Sequence, residues 1–314
     1  MEKDNIKVVF MGTPDFAVDS LEAIHKAGYL VQAVITQQDK RRGRGKKLQY
    51  TPVKEKALEL GLDVYQPEDI NSKEAKSMLK ELAPDFIIVV AYGQILKSDI
   101  LSIPKYGCYN VHASLLPKYR GAAPINWAII DGEDKTGVTI MEMERGLDTG
   151  DMVLKRAIDI GAEDTTEDIH DKLAELGADL IVEALRKIVE GNSETVAQDH
   201  SQSTYASMLT KEMGRIDWNS EGKDIVNLIR GLKPWPSAYT MYNNDMIKVH
   251  KASLDDSEFE GENGQIVNVT DDKIYVKISE GSIVIEELQF PGKRKMDTVD
   301  YLKGNSIEIG TILK

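Results

Sequence analysis

The sequence predicts an α/β fold: a doubly wound, mostly parallel sheet domain followed by a small OB-like β-barrel domain. Three observations predict it. Short apolar runs alternate with helix-spaced patterns over the first ~190 residues, the rhythm of strand–helix–strand units. One of these runs, DFIIVV at Asp85–Val90, is continuously apolar, as strands covered on both faces are. Beyond residue 208 the pattern changes to short strands separated by the turn signals NND, ENG, DDK and EG. The expected division is a catalytic domain over 1–189, a linker over 190–208 and a barrel over 209–314.

The elements follow in order. KVVFM at Lys7–Met11 reads as a buried strand, Gly12, Thr13 and Pro14 as its turn, and Asp15–Ala27 as a helix. GTPDF lacks the G-x-G-x-x-G spacing, so no dinucleotide is expected. Leu30–Thr36 is a second strand. Lys40–Lys47, KRRGRGKK, has six basic residues among eight and no apolar residue to bury, so it reads as a flexible cationic loop suited to phosphate backbones. Thr51–Leu60 is a helix with Pro52 in its first turn, Asp63–Tyr65 a short strand, and Ser72–Leu82 a helix with Ser72 as cap. The strand Asp85–Val90 runs into AYGQIL, and ligands of open α/β sheets sit at such carboxyl ends.

Residues 108–124, CYNVHASLLPKYRGAAP, begin as a strand, stop at a histidine and enter a Pro- and Gly-rich loop. INWAII is a short helix, Thr136–Glu142 a strand, ERGLDTGDM a loop, Met152–Asp159 a strand and Thr166–Val189 a helix. Glu190–Met208 is polar and Ser/Thr-rich, as linkers are. A helix over Gly222–Gly231 is ended by GLKPWP. The barrel strands are expected at Ala238–Tyr242, Met246–Ala252, Gly264–Val269, Lys273–Ile278 and Ser282–Gln289.

Composition narrows the function classes. The formal net charge of −13 leaves no global positive field, so a polyanion must be met by a local patch. Cys108 is the only cysteine, which excludes an internal disulfide and a cysteine-rich metal site and reads as a small core residue. The amino terminus has no apolar signal core, and no run approaches the ~20 residues that span a bilayer. A cytoplasmic protein is expected. No apolar helix face asks for a partner, so a monomer is expected.

The five histidines show no H-x-x-x-H or H-E-x-x-H spacing, so no metal is expected. Only His112 lies at a strand end beside a Gly/Pro-rich loop. Asn110 stands two residues before it and projects to the same side of a strand. An amide N–H and an imidazole together suit a carbonyl that is becoming an oxyanion, although an isolated N-x-H is also what a plain strand end looks like. Asp148 lies between Gly146 and Gly150, either a turn residue or a carboxylate presented to His112, where its charge would favour imidazolium. With no serine-hydrolase elbow and no metal motif, the set suits direct acyl transfer.

These residues carry a resemblance. NVHASLLPKYRGAAP resembles the signature of the formyl-folate transferase family, and GLDTGDM resembles its catalytic Asp loop. VVFMGTPDFAV, RRGRGKKLQYTPVK, VVAYGQIL, DHSQSTYASMLTKEMGRIDW and IRGLKPWPSAY are similar, from end to end of the chain, to the branch that formylates methionine on initiator tRNA. The resemblance implies Asn110, His112 and Asp148 as the catalytic trio. It implies a 10-formyltetrahydrofolate site lined by Ser114, Leu115, Leu116 and Pro117, with Val89, Val90, Ala91, Tyr92 and Gly93 as the other wall. It implies contacts of Arg41, Arg42, Arg44, Lys46 and Lys47 with the tRNA acceptor end, and a barrel that holds the tRNA further along. A sugar-nucleotide amine as acceptor, hydrolysis of formyl-folate, and a non-enzymatic RNA-binding protein are the competing readings.

Overall fold

The computed structural model describes residues 5–42 and 47–314. Of the residues expected to meet tRNA, Arg44 and Lys46 lie outside the described residues, as do the side chains of Arg41, Arg42 and Lys47. The chain divides into two compact units. One comprises residues 1–121, 136–158 and 170–205, the other residues 122–135, 159–169 and 206–314.

The first unit is built on β1 (Lys7–Gly12), β2 (Leu30–Ile35), β5 (Val64–Tyr65), β6 (Phe86–Val90), β7 (Cys108–His112), β9 (Lys135–Glu142) and β10 (Met152–Asp159). They form one sheet in the order β10-β9-β7-β6-β1-β2-β5. β1 pairs in parallel with both β2 and β6, and β6 with β7, while β9 runs antiparallel to β7. The chain winds outward from β1 to β5 and resumes on the other side at β6, so the switch point lies between β1 and β6. Val8 to Met11 and Phe86 to Val90 are buried, which accounts for their continuously apolar sequence.

Local chemistry sets the helices. A 3₁₀ turn over Asp15–Ala17, with Ala17 N–H bonded to Pro14 O, precedes α1 (Val18–Lys26), so the regular helix starts later than the sequence suggests. α2 (Pro52–Glu59) is capped by the Thr51 hydroxyl accepting from Lys54 N–H at 3.1 Å, and α3 (Lys73–Leu82) by Ser72 accepting from Ala75 N–H at 3.2 Å. α4 (Ser98–Leu101) was not legible in the sequence. α5 (Pro124–Ile130) belongs to the second unit, and α6 (Thr166–Val189) returns to the first from His170 onward.

The basic stretch differs from the loop expected. Its two ends are strands, β3 (Lys40–Arg42) and β4 (Lys47–Gln49), paired antiparallel with Lys40 opposite Gln49 and Arg42 opposite Lys47. Main-chain bonding needs no apolar side chain, which is why composition did not signal it. β8 (Arg120–Gly121) and β11 (Tyr205–Ala206) form a further two-stranded ladder.

The second unit is antiparallel. β12 (Ala238–Tyr242), β13 (Asp245–Asp255), β14 (Ile266–Val269), β15 (Ile274–Lys277) and β16 (Ser282–Gln289) lie in the order β12-β13-β16-β15-β14, with β17 (Met296–Asp297) also on β16. The chain's last described residues join the two edges. Met241 and Lys314 exchange both main-chain bonds, at 2.8 and 3.1 Å, while Ile266 N–H donates to Thr311 O and Leu313 N–H to Gly264 O, each at 2.8 Å. This segment closes the sheet into a barrel and removes its open edges. α7 (Gly222–Gly231) buries Ile225 and Ile229 in the same core as Trp218, Val249, Val276 and Ile283. α8 (Thr298–Leu302) packs on β16. Among the described residues, no helix is long and apolar enough to cross a membrane.

Candidate active site

β7 carries Asn110 and His112 to the carboxyl end of the sheet. Asn110 is opposite Val89 of β6 and Met141 of β9, and His112 is opposite Thr139. The two-residue spacing puts both on one face. The His112 side chain is only 5% exposed, and its Nε2 lies 2.9 Å from Tyr119 O. A carbonyl only accepts, so Nε2 bears a hydrogen. Nδ1 then faces Asp148, with Oδ2 at 3.7 Å. That separation exceeds a hydrogen bond but lets a single substrate group touch both atoms.

The carboxylate is fixed from the other side by Gly121 N–H, which donates to Oδ2 at 2.8 Å. Asp148 has φ 52°, a left-handed conformation that few residues other than glycine and Asn/Asp adopt. Gly150, two residues on, lies against the backbone: a Cβ there would stand 1.7 Å from Glu142 O. The glycines flanking Asp148 therefore include one that close packing demands, not only turn freedom.

The loop after β7 is held by β9 and β10. Thr139 Oγ1 donates to Ser114 O at 2.7 Å and accepts from Leu116 N–H at 3.2 Å, Ser114 Oγ donates to Lys118 O at 2.7 Å, and Lys155 Nζ donates to Leu116 O at 3.0 Å. Ser114 and Leu116 are fully buried, while Leu115 and Pro117 are half-buried. Across β6, Val89, Val90 and Tyr92 are buried, and Ala91 and Gly93 are exposed. Open surface on these two expected folate walls therefore comes from Leu115, Pro117, Ala91 and Gly93. Thr13 Oγ1 donates to Tyr92 O at 2.8 Å and ties together the loops that follow β1 and β6 at the switch point. A cavity of about 210 Å³, lined by Thr13, Gln37, Lys40, Gln49 and Tyr50, opens beside the root of the basic hairpin.

Two residues near the pair were not singled out in the sequence. Arg120 and Gln198 are 2% and 6% exposed, and the guanidinium donates to Gln198 Oε1 from Nε at 3.1 Å and from Nη2 at 2.7 Å. Gln198 lies in the stretch whose polar composition reads as a linker, so no apolar period marks it. Cys108 is buried behind the site, and burial pushes its thiol up to about 12, which makes it a packing residue and no nucleophile.

Residues 5–185 match the formyl transferase family, and residues 208–306 match the formyl transferase C-terminal domain. The chain belongs to the formyl transferase family. Among formyl transferases it is similar to the methionyl-tRNA formyltransferases of Clostridium acetobutylicum, at 52% identity, and Caldanaerobacter subterraneus, at 53%. Each alignment covers 98% of this chain and 100% of the relative. The fold is shared with an N-formyltransferase from Helicobacter canadensis in complex with folinic acid and dTDP-3-aminofucose. That match has TM-score 0.67 at 23% identity and covers 89% of this chain and 98% of that one. It is shared too with HypX from Aquifex aeolicus in complex with tetrahydrofolic acid, with TM-score 0.63 at 16% identity over 97% of this chain and 50% of that one. The family resemblance carried by NVHASLLPKYRGAAP and GLDTGDM is thereby borne out.

Proposed function

We propose that this formyl transferase moves the formyl group of 10-formyltetrahydrofolate to the α-amino group of methionine on initiator tRNA, preparing it for translation initiation. The observation that carries the proposal is the His112–Asp148 pair beside Asn110, in a chain about half identical over almost its whole length to methionyl-tRNA formyltransferases. The Asn–His–Asp set sets aside a purely RNA-binding role, which would leave it without a task.

The chemistry needs no covalent enzyme intermediate. The amine, with a pKa near ~8, is partly neutral at pH 7 and attacks the formyl carbon. A C–N bond forms and the carbonyl oxygen takes the negative charge. The Asn110 amide N–H donates to it, and the Nδ1 side of His112 faces it, while Nε2–H stays on Tyr119 O. Comparable donors are worth roughly 3 kcal/mol each. Asp148 accepts the proton released by the attacking nitrogen. Collapse returns the electrons to the carbonyl, breaks the bond to N10 and sends a proton to that nitrogen as tetrahydrofolate leaves.

The half-exposed Leu115 and Pro117 and the exposed Ala91 and Gly93 support a folate site between the loops after β7 and β6. The paired arms of β3 and β4 support delivery of the acceptor end by the basic tip, with Arg41, Arg42, Arg44, Lys46 and Lys47 meeting phosphates. A small sugar nucleotide would not call for such an arm.

Formyl transfer from 10-formyltetrahydrofolate, measured side by side with methionyl-tRNA and a sugar-nucleotide amine, tests the proposal. Methionyl-tRNA is the expected acceptor. Turnover with the sugar amine alone would overturn it.

A further inference from the structure

We propose that Gln198 is the positioning residue for Asp148, and that Arg120 fixes the Gln198 amide in the orientation this requires. The inference rests on the catalytic reading of Asp148 given above.

The geometry is a chain of one-way hydrogen bonds. Gln198 Nε2 donates to Asp148 O at 2.9 Å and to Gly150 O at 2.7 Å, spending both hydrogens of one amide on the two carbonyls that bracket Thr149. Its Oε1 accepts the bidentate guanidinium of Arg120 at 3.1 and 2.7 Å. A terminal amide can turn over by 180°, and its neighbours decide which way it points. Here every neighbour has a single sense, because a guanidinium only donates and a carbonyl only accepts. A reversed amide would set its NH₂ against Arg120 and its oxygen against two carbonyls. Arg120 Nη2 is also 3.0 Å from His200 Nδ1, which must therefore be the acceptor, so the guanidinium is braced from a second direction.

The network grips Asp148 at both ends. Gly121, the residue after Arg120, donates its N–H to the carboxylate, while the Arg120 side chain, through Gln198, holds the backbone of the same aspartate. Asp148 needs this hold, since φ 52° is one of several backbone conformations open to an aspartate in a loop, and only fixed carbonyls keep it in this one. Relaxation would swing the carboxylate away from the 3.7 Å approach to His112. Both Gln198 and Arg120 are shielded from water, so neither hydrogen bond has a solvent substitute at hand.

The test uses the full-length enzyme with Gln198→Glu, which keeps size and the Arg120 interaction but turns the donor into an acceptor. Gln198→Met removes the polar end with little change of volume. Both are measured alone and in an Asp148→Asn background, with kcat and KM determined for 10-formyltetrahydrofolate and methionyl-tRNA. A misplaced catalytic group costs on the order of 100-fold, so kcat should fall about that much, with both KM values within about twofold. In the Asp148→Asn background neither substitution should lower kcat further, because the group they position is already gone. Wild-type kcat in both single variants, an equal further loss in the Asp148→Asn background, or a rise in both KM values at constant kcat would overturn the positioning role. Wild-type turnover by Asp148→Asn alone would instead remove the catalytic reading and the positioning role with it.

Discussion

Asp148 holds its Oδ2 3.7 Å from Nδ1 of His112 while the same oxygen accepts the Gly121 N–H at 2.8 Å. One carboxylate oxygen thus both takes the anchoring bond and faces the imidazole, and the proposed mechanism assigns the proton to Oδ1. Asp148→Asn keeps the shape and removes the charge. The expected result is a fall in kcat of about 10²–10³-fold with an unchanged melting temperature. Steady-state kinetics and calorimetry on the same preparation check it, and near-normal turnover would refute the assignment.

Gly150→Ala tests whether the loop tolerates any displacement. The added Cβ would fall 1.7 Å from Glu142 O, a backbone atom that cannot swing aside as a side chain end would. Overpacking of this kind costs about 1–3 kcal/mol. We expect a lower melting temperature together with reduced kcat, because the shift passes through Thr149 to Asp148. A variant as stable and active as the parent would mean the loop has slack.

Tyr92→Phe is expected to behave in the opposite sense. The Tyr92 hydroxyl is buried with no hydrogen-bond partner among the described residues, and burial pushes its phenol up to about 12. Removing an unpaired buried hydroxyl deletes a desolvation cost of about 1–3 kcal/mol. Chemical denaturation should show a stability equal to or above that of the parent. A loss of more than about 1 kcal/mol would mean the hydroxyl has a partner in solution.

Stability should fall under alkaline conditions. Burial holds the Cys108 thiol at about 12 against an ordinary 9.0, holds Tyr92 at about 12 against 10.0, and raises Tyr109 as well. Above pH ~9 the unfolded chain begins to release these protons while the folded protein keeps them, so unfolding gains free energy as pH rises. The melting temperature should therefore decline progressively from about pH 9 towards pH 12. A flat profile to pH 11 would contradict the burial of these groups.

Arg42→Gln combined with Arg44→Gln probes the basic stretch. If these side chains displace counterions from tRNA, KM for methionyl-tRNA should rise. Its dependence on salt should flatten by about 0.9 for each phosphate that is no longer neutralised. KM for 10-formyltetrahydrofolate should stay within about twofold. An unchanged salt slope would mean these arginines do not meet phosphate.

Local pattern made much of the fold legible. α7 runs over Gly222–Gly231 as its apolar spacing suggests, and Ser72 caps the helix it precedes, while Thr51, expected inside its helix, turns out to be the cap. The same-face relation of Asn110 and His112 followed from strand period alone. What stayed hidden was long-range. Gln198 meets Asp148 across 50 positions and Arg120 across 78, and a lone glutamine in a polar stretch carries no trace of either. The arms of the basic stretch escaped for a related reason, since strand pairing by main chain leaves no hydrophobic mark.

The closure of the barrel by residues 311–314 has a consequence for how the protein is made. Lys314 pairs with Met241 across more than seventy intervening residues, so β12, which otherwise meets only the Arg215 bridge at Tyr239 along this edge, lacks its partner at Met241 until the chain around 311–314 has left the ribosome. The α/β sheet, whose β1 is flanked by strands all emerging within the first ninety residues, can assemble during synthesis. Until residues 311–314 emerge, the barrel carries unpaired main-chain stretches at Met241 of β12 and along β14. That interval is when it is most open to pairing with another nascent chain.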